Sequence, residues 1–588
     1  MCGIFATTRP DLWRALVPEV LNRMVHRGPD ANGVWESPSG RCLLIHTRLS
    51  IVGLGHEGDQ PSVHERTALT YNGEIYNYRQ LADADQLAGP LSDTQVIHRM
   101  IDRDGIASAD KFRGMYAFAY WDEATGSLTV ARDPWGIKPL YVLTHPSGGI
   151  TVSSELPPLL LHSDGRSLDE AGVAQYVAFG HTGPERTFYA NIEKLPPGTS
   201  LTVTGSRRSS RTIDQLSGYS ALPLEQAIDN SIEAHFVADV EVGVFMSGGV
   251  DSTMVAVSAS NRGTTLRTFT ISFPDAPEID ESPLAEHNAK LLGTNHMTVP
   301  VTRPQMVQAL DRFLTVHGEP FGDAAALPLT VLSEEAARHV KVVQTGEGAD
   351  EMFGGYRRYD IMHQLRYRGL STAGKLLSPL ADRHYRYRSD SAKARSLEAA
   401  LRGGGAAGLA ALVDSDLPAI ARSAPGGAAR SQLHRDWAAL SGQARGREAA
   451  RRFDLARWLP NTYLEKADRA TMASSLEGRT PFLDPVIAVA ARAADRPFGK
   501  GDLRAILERR LPGVQLPTVK KGLATPIRLL LDAGLQSSLD RAVRSDSLLA
   551  GMLDRRQMDI LVHRAQRSSA TAYRLAVLGR WQDISGVV

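Results

Sequence analysis

Between residues 203 and 221 the hydrophobic pattern of this chain changes its period, and the two sides demand different folds. Before that point, short β-type runs recur between turn signals: RCLLIHTRLSIV (41–52), TALTYNGEIYN (67–77), GMYAFAYWD (114–122) and SLTVARD (127–133). Helical spacing shows in only a few stretches, such as DLWRALVPEVLNRMV (11–25). This predicts an α+β domain built on antiparallel sheets. After that point, EVGVFM (241–246), LRTFTISF (266–273) and VKVVQ (340–344) are apolar strands separated by long helical patterns. That is the layout of a doubly wound parallel sheet. From about residue 361 the pattern is mostly helical. The polar stretch VTGSRRSSRTIDQLSGYSA (203–221) reads as a linker, which sets domains at 2–205 and 221–588. The segment 396–430 is so rich in Ala and Gly that its pattern assigns no firm structure.

A length of 588 residues is ample for two cores. The 66 Lys+Arg against 65 Asp+Glu leave a net charge of +1, which argues against a nucleic-acid or membrane-surface partner by bulk charge. Two cysteines supply neither a disulfide framework nor a zinc site. No apolar run reaches the ~18 residues of a membrane span. The first residues show no basic stretch followed by an apolar one. A cytoplasmic protein is the expectation.

One of the two cysteines is Cys2, directly behind the initiator. With Met1 removed, its thiol would sit beside its own α-amine, whose pKa of ~7.7–8.0 suits it to take the thiol proton. Alone, the position also fits a small buried residue. Four further motifs follow: HRGPD (26–30), RLSIV (48–52), YNGEIYN (71–77) and SDTQVI (92–97). Cys2 and these motifs, in this order and spacing, resemble the class II glutamine amidotransferases, and the likeness covers roughly residues 2–200. The resemblance implies an Ntn-hydrolase-like glutaminase domain, its antiparallel sheets sandwiched by helices, with Cys2 as nucleophile. It places glutamine along Arg48, Leu49, Ser50, Ile51 and Val52, at Asn72, Gly73 and Glu74, and at Asp93. The chemistry agrees. Arg48 can fork two hydrogen bonds onto an α-carboxylate, and Asp93 can pair with an α-ammonium group. The Asn72 amide and the Gly73 N–H can face an oxyanion. Cys42, His26 and His46 read as structural.

In the rear half, EVGVFMSGGVDSTMVAVSAS (241–260) runs an apolar strand into Ser-Gly-Gly and then a helix, a phosphate cradle. The Gly-Lys-Ser/Thr ending of a Walker A loop is missing. SGGVDS resembles the pyrophosphate loop of enzymes that split ATP between its α and β phosphates, which assigns Ser247, Gly248, Gly249, Asp251 and Ser252 to the phosphates. In TGEGADEMFGGYRRY (345–359), Glu351 stands where a dinucleotide fingerprint needs its third glycine. The acidic residues suit metal binding instead, because Asp251 and Asp350 can hold Mg²⁺ as hard oxygen ligands. A third signature, LEKADRATMASSLEGRTPFLD (464–484), is followed by KGDLRAILERRLP (500–512) and KKGLATP (520–526).

Together these resemble the glutamine-hydrolysing asparagine synthetases over nearly the whole chain. The resemblance implies an α/β ATP-pyrophosphatase domain with a largely helical C-terminal part. It also implies adenine contacts at Phe245, Ile271, Thr345 and Gly346, and an acyl-adenylate role for Glu347. Its small-molecule substrates would be glutamine, ATP and a carboxylic acid, and a homodimer is compatible with it. Two departures stand out. Leu523 replaces the aromatic residue common in that segment, and Arg469 stands where some members carry a lysine thought to steady the adenylate. Both leave the acceptor open between aspartate, the family default, and a larger acid amidated as a tailoring step. The expected reaction releases ammonia at Cys2 and delivers it inside the protein to an acyl-AMP. The complete Cys2 set argues against a ring-closing relative, and SGGVDS argues against a phosphosugar partner domain.

Overall fold

The computed structural model describes residues 2–87, 91–260, 262, 265–367, 370–387, 391–442, 444–493, 499–517 and 525–586. Its first half contains two six-stranded antiparallel sheets. One is ordered Ile192–Lys194, Tyr141–Thr144, Ile150–Ser153, Gly3–Thr7, Leu43–Arg48, Ala31–Glu36. The other is ordered Arg207–Thr212, Thr199–Thr204, Ser127–Arg132, Gly114–Asp122, Thr67–Ile75, Ser62–His64. Side-chain alternation dictates the layering. In Gly3–Thr7, Ile4 and Ala6 join Ala117, Ala119, Leu128 and Val130 in the core between the sheets. Phe5 points the other way, into a cluster with Trp13, Val20 and Met24 of the flanking helices. On the far face of the second sheet, Leu69 and Tyr71 pack against Val96, Ile97 and Met100 of the helix Asp93–Asp104. The result is the expected Ntn-hydrolase-like sandwich, helix–sheet–sheet–helix.

The rear half holds a five-stranded parallel sheet ordered Asn295–Pro300, Arg267–Ser272, Val242–Phe245, Val342–Gln344, Glu477–Arg479. Its strand order reverses direction between Val242–Phe245 and Val342–Gln344, the switch point where such sheets leave a crevice at their carboxyl ends. A largely helical region follows. No helix among the described residues is long and apolar enough to cross a membrane.

Three local expectations change. Residues 207–212, read as linker, pair with Thr199–Thr204 as an edge strand. That strand is polar because nearly all of its residues are exposed, which conceals it from a search for alternation. Asn295–Pro300 and Glu477–Arg479 add two strands that the apolar runs do not reveal. The Ala/Gly-rich stretch 396–430 falls across the helices Ala392–Leu401, Gly405–Leu412, Leu417–Ile420 and Ala424–Ser441, with Leu409, Ile420 and Leu433 buried. High alanine propensity sustains these helices and the glycines separate them.

The helix Leu464–Met472 has the unusual sequence LEKADRATM, half of it charged or polar, yet every residue in it is buried. It lies between the two halves, and its polar groups are paired across the junction. Glu465 accepts hydrogen bonds from Tyr141 Oη at 2.6 Å and Lys194 Nζ at 2.8 Å. Asp468 accepts from both Nη atoms of Arg27, at 2.8 and 3.2 Å. Arg469 donates to Tyr141 Oη and to the Ser154 carbonyl, both at 3.0 Å, and pairs with Glu155. Arg27→Met would leave Glu155 and Asp468 buried without their shared guanidinium. Loss of one partner of a buried ion pair costs ~3–5 kcal/mol. The variant should begin to unfold at a markedly lower urea concentration, with the front and rear halves losing structure in separate transitions.

Candidate active sites

The strand Gly3–Thr7 is central in its sheet, and Cys2 stands at its start, buried, at the base of a pocket of about 330 Å³ including its open mouth. The pocket is lined by Cys2, Arg48, Leu49, Ile51, Val52, Gly73, Glu74 and Asp93, all anticipated, and by Gly58, Gln60, Tyr71 and Thr94, which were not. Tyr71 and Thr94 fall inside the quoted motifs, so the signal was at hand. Gln60 belongs to none of them. Ser50 lies off the lining and donates its N–H to Asp30 Oδ2 at 2.7 Å, which connects the RLSIV and HRGPD motifs.

Burial pushes the Cys2 thiol pKa up, while the chain's terminal charge and the Leu49 backbone favour the thiolate. The Cys2 N–H donates to Asn72 Oδ1 at 3.0 Å. That bond fixes the orientation of the Asn72 amide. Its Nδ2 is left as a buried donor with no partner among the described residues, as an oxyanion donor should be. Gly73 has φ of 154°, and a Cβ there would lie 2.1 Å from the Met115 carbonyl oxygen, so only glycine fits. Arg48 reaches the pocket with its guanidinium already holding the neighbouring loop: it donates to the Gly55 carbonyl at 3.0 Å, to Asp59 at 2.7 Å and to the Gly53 carbonyl. Asp93 opens its helix behind the Ser92 cap. Burial raises its carboxyl to about 6, against hydrogen bonds from Tyr71 Oη at 3.0 Å and the Thr94 N–H at 2.8 Å. Met1, whose removal the chemistry requires, lies outside the described residues. Cys42 and His46 are buried in the core, and desolvation keeps His46 neutral with a pKa of about 3.

The second site forms where the sequence predicted a phosphate cradle. SGGVDS leaves the strand Val242–Phe245 and opens the helix Val250–Ser260. The turn is closed by the Ser247 N–H, which donates to Ser252 Oγ at 3.1 Å. The TGEGAD segment leaves the adjacent strand Val342–Gln344 at the switch point. It packs so closely that a Cβ on Gly346 would lie 3.0 Å from both Asp251 Cβ and the Ser252 nitrogen. Phe245, Ile271 and Thr345 sit buried at the carboxyl ends of their strands. Asp251 and Asp350 converge on one cation, the Lys500 ammonium, with the Asp350 contact at 3.1 Å. Two carboxylates that already share a positive charge fit the expected Mg²⁺ ligand pair.

Arg469 requires a correction. It is fully buried at the junction of the halves, and its hydrogen bonds and ion pair go to Glu155, Tyr141 and Ser154 of the front half. The cation beside Glu347 is Lys466, 4.0 Å from Glu347 and 3.3 Å from Asp323. Burial opposes its charge, but Asp323 and Glu347 keep it protonated. Lys466 and Arg469 lie one turn apart on the same side of the helix, and their partners differ because Lys466 reaches the TGEGAD segment while Arg469 reaches the front half. Leu523 lies outside the described residues. Lys500 heads the KGDLRAILERRLP signature, and only the fold reveals that it meets Asp251.

A family model described as Asparagine synthase matches residues 223–583, and one described as Glutamine amidotransferase domain matches 1–213. A Mycobacterium tuberculosis (strain H37Rv) protein named "Putative asparagine synthetase (glutamine-hydrolyzing)" is 33% identical over 560 residues, covering 87% of this chain and 84% of that protein. Bacillus subtilis (strain 168) asparagine synthetase (glutamine-hydrolyzing) 1 is 28% identical over 556 residues, with coverage of 87% and 84%. "Amidase chry2" of Gibberella zeae is 29% identical over 407 residues, with coverage of 60% and 59%.

The Asp93 carboxyl, ionised above about pH 6, should pair with an α-ammonium group only above that pH. KM for glutamine, followed by glutamate release, should therefore rise ~10-fold per pH unit below 6 while kcat changes little. Asp93→Asn should raise KM at pH 8 and remove this acid limb.

Proposed function

The chain belongs to the asparagine synthase family and is an amidotransferase ligase of the glutamine-dependent type, and from that premise we propose a two-site reaction. In the front pocket the Cys2 thiolate attacks the side-chain amide carbon of glutamine. The proton from the thiol passes through the α-amine to the leaving nitrogen, and ammonia departs from a Cys2 thioester. The developing oxyanion lies against Asn72 Nδ2 and the Gly73 N–H. Asp93 and Glu74 hold the α-ammonium group, and Arg48 takes the α-carboxylate. Water then cleaves the thioester to glutamate.

In the rear crevice an acceptor carboxylate oxygen attacks the α-phosphorus of ATP, and pyrophosphate leaves along the SGGVDS turn, where the N-terminus of Val250–Ser260 favours an anion. Asp251 and Asp350 are the residues that would hold Mg²⁺, which supplies positive charge against the pyrophosphate. Ammonia attacks the acyl-AMP carbonyl and AMP leaves. Glu347 is placed to accept the proton lost from the attacking nitrogen, and the Lys466 ammonium stands beside it. The acceptor is aspartate, giving asparagine. Overall, glutamine, ATP, acid and water become glutamate, amide, AMP and pyrophosphate.

The observation that carries this reading is the helix Leu464–Met472. Its Lys466 reaches Glu347 and its Asp468 reaches Arg27, whose Nε in turn holds the Cys2 carbonyl at 3.0 Å. The two residues stand about 200° apart around one helix, so a single element backs both sites. Ammonia crosses beside it without entering bulk water, where it would be protonated.

Cys2→Ala should abolish glutamine-driven amide formation and retain turnover with added ammonium; loss of both would contradict the division of labour. Asp251→Ala should stop AMP and pyrophosphate release while glutamate is still formed. Mass spectrometry of the amides formed from a panel of acids tests the acceptor, and inertness with aspartate beside turnover of another acid would replace it.

A further inference from the structure

Glu74 belongs to the front pocket, but the cation that neutralises it does not. Arg479, fully buried on the edge strand Glu477–Arg479 of the rear sheet, brings Nη2 to 3.3 Å from Glu74 Oε2. Its other nitrogens are committed. Nε donates to Glu477 at 2.6 Å, and Nη1 donates to the carbonyls of His235 and Val237, each at 2.8 Å. Its guanidinium carbon lies 5.5 Å from the Tyr76 ring. The main chain of the same residue faces the other site: the Arg479 carbonyl accepts from the Thr345 N–H at 2.8 Å, at the start of TGEGAD.

We propose that Arg479 is a positioning residue for glutamine binding, a cation lent by the rear domain that favours the charged form of Glu74 and aims it at the substrate ammonium. The proposal rests on reading the Cys2 pocket as the glutamine site. The front domain buries Glu74 and sets against it the like charge of Asp93, from the helix Asp93–Asp104, offset in part by the chain's terminal amine. The chain start contributes the Cys2 thiol and the terminal amine, and the rear strand contributes Glu477 and Arg479. His235, whose ring lies tilted 4.1 Å from that of Tyr76, is kept neutral by burial. Burial also works against charge on Glu477, yet the chain terminus and Arg479 hold its carboxyl at about 2. Burial, Glu477 and Asp93 raise the Glu74 carboxyl well above the ordinary carboxylate range, and Arg479 is the nearby side chain that pulls it back down. Substituting Arg479 therefore raises the Glu74 pKa, so glutamine binding should fail first at low pH and recover as the pH rises.

The test compares glutamate release and ammonium-driven amide formation from pH 6 to 9 in wild type, Arg479→Met and Arg479→Lys. Arg479→Met should show a KM for glutamine at least tenfold higher at pH 7, with kcat changed much less. The acid limb of kcat/KM should move up by a pH unit or more, so that most of the loss is recovered by pH 9. Arg479→Lys, which keeps a charge, should keep its limb close to that of wild type. An unshifted limb in Arg479→Met would overturn the proposal. So would an equal fall in glutamine-driven and ammonium-driven turnover, because that marks a structural role. If Arg479→Met does not fold, Arg479→Lys decides: a limb and a KM for glutamine close to those of wild type support the proposal, and a KM increase that is the same at every pH overturns it. Absence of glutamate release in wild type would overturn the glutamine reading itself, whereas release with an unshifted limb overturns only the role of Arg479.

Discussion

Arg27 is a guanidinium with no access to water, and the rest of the molecule is arranged around satisfying it. Nε holds the carbonyl of Cys2, Nη1 reaches Glu155 at 2.6 Å, and both Nη atoms reach Asp468. A buried ion without partners is prohibitively costly, so the front sandwich and the helix Leu464–Met472 have to meet in one register. Arg469, Glu465, Lys194 and Tyr141 extend the same rule across the junction. Ion networks of this kind contribute little net stability compared with apolar packing, but their geometric demands are strict. Here those demands fall beside the two places where chemistry has to be aligned.

The rear crevice follows a different logic. Its geometry comes from topology, because the strand order reverses between Val242–Phe245 and Val342–Gln344 and leaves two loops facing each other. Close contact at Gly346 brings TGEGAD against the start of the SGGVDS helix, and Lys500 draws Asp251 and Asp350 together. The front pocket depends on buried polar atoms held in place, such as the Asn72 amide. The crevice depends on main chain brought near an anion. Each suits its chemistry: a small amide needs oriented donors, and a triphosphate needs N–H groups and positive charge.

Much of this was legible in the sequence. Alternation predicted four of the front strands, Leu43–Arg48, Thr67–Ile75, Gly114–Asp122 and Ser127–Arg132, and the motifs contain most of the lining of the Cys2 pocket. Three of the exceptions share one cause. The roles of Lys466, Lys500 and Arg479 are set by partners more than a hundred residues away, such as Asp251 for Lys500 and Glu74 for Arg479. No local period encodes those distances. Motif position does not reveal the partners of Arg469, because residue type records its charge and not that Glu155 and Tyr141, more than 300 residues away, lie against it. Residues 207–212 escape a pattern search because an exposed edge strand has no buried face to alternate against.

The order in which these parts leave the ribosome has its own consequence. Arg27 emerges near the beginning of translation and Asp468 near the end. For most of synthesis, the nascent sandwich presents a hydrated, half-neutralised face where the finished protein has a dry seam. That face is polar, so it resists sticking to other chains while it waits, and it closes only onto the one helix whose charges match.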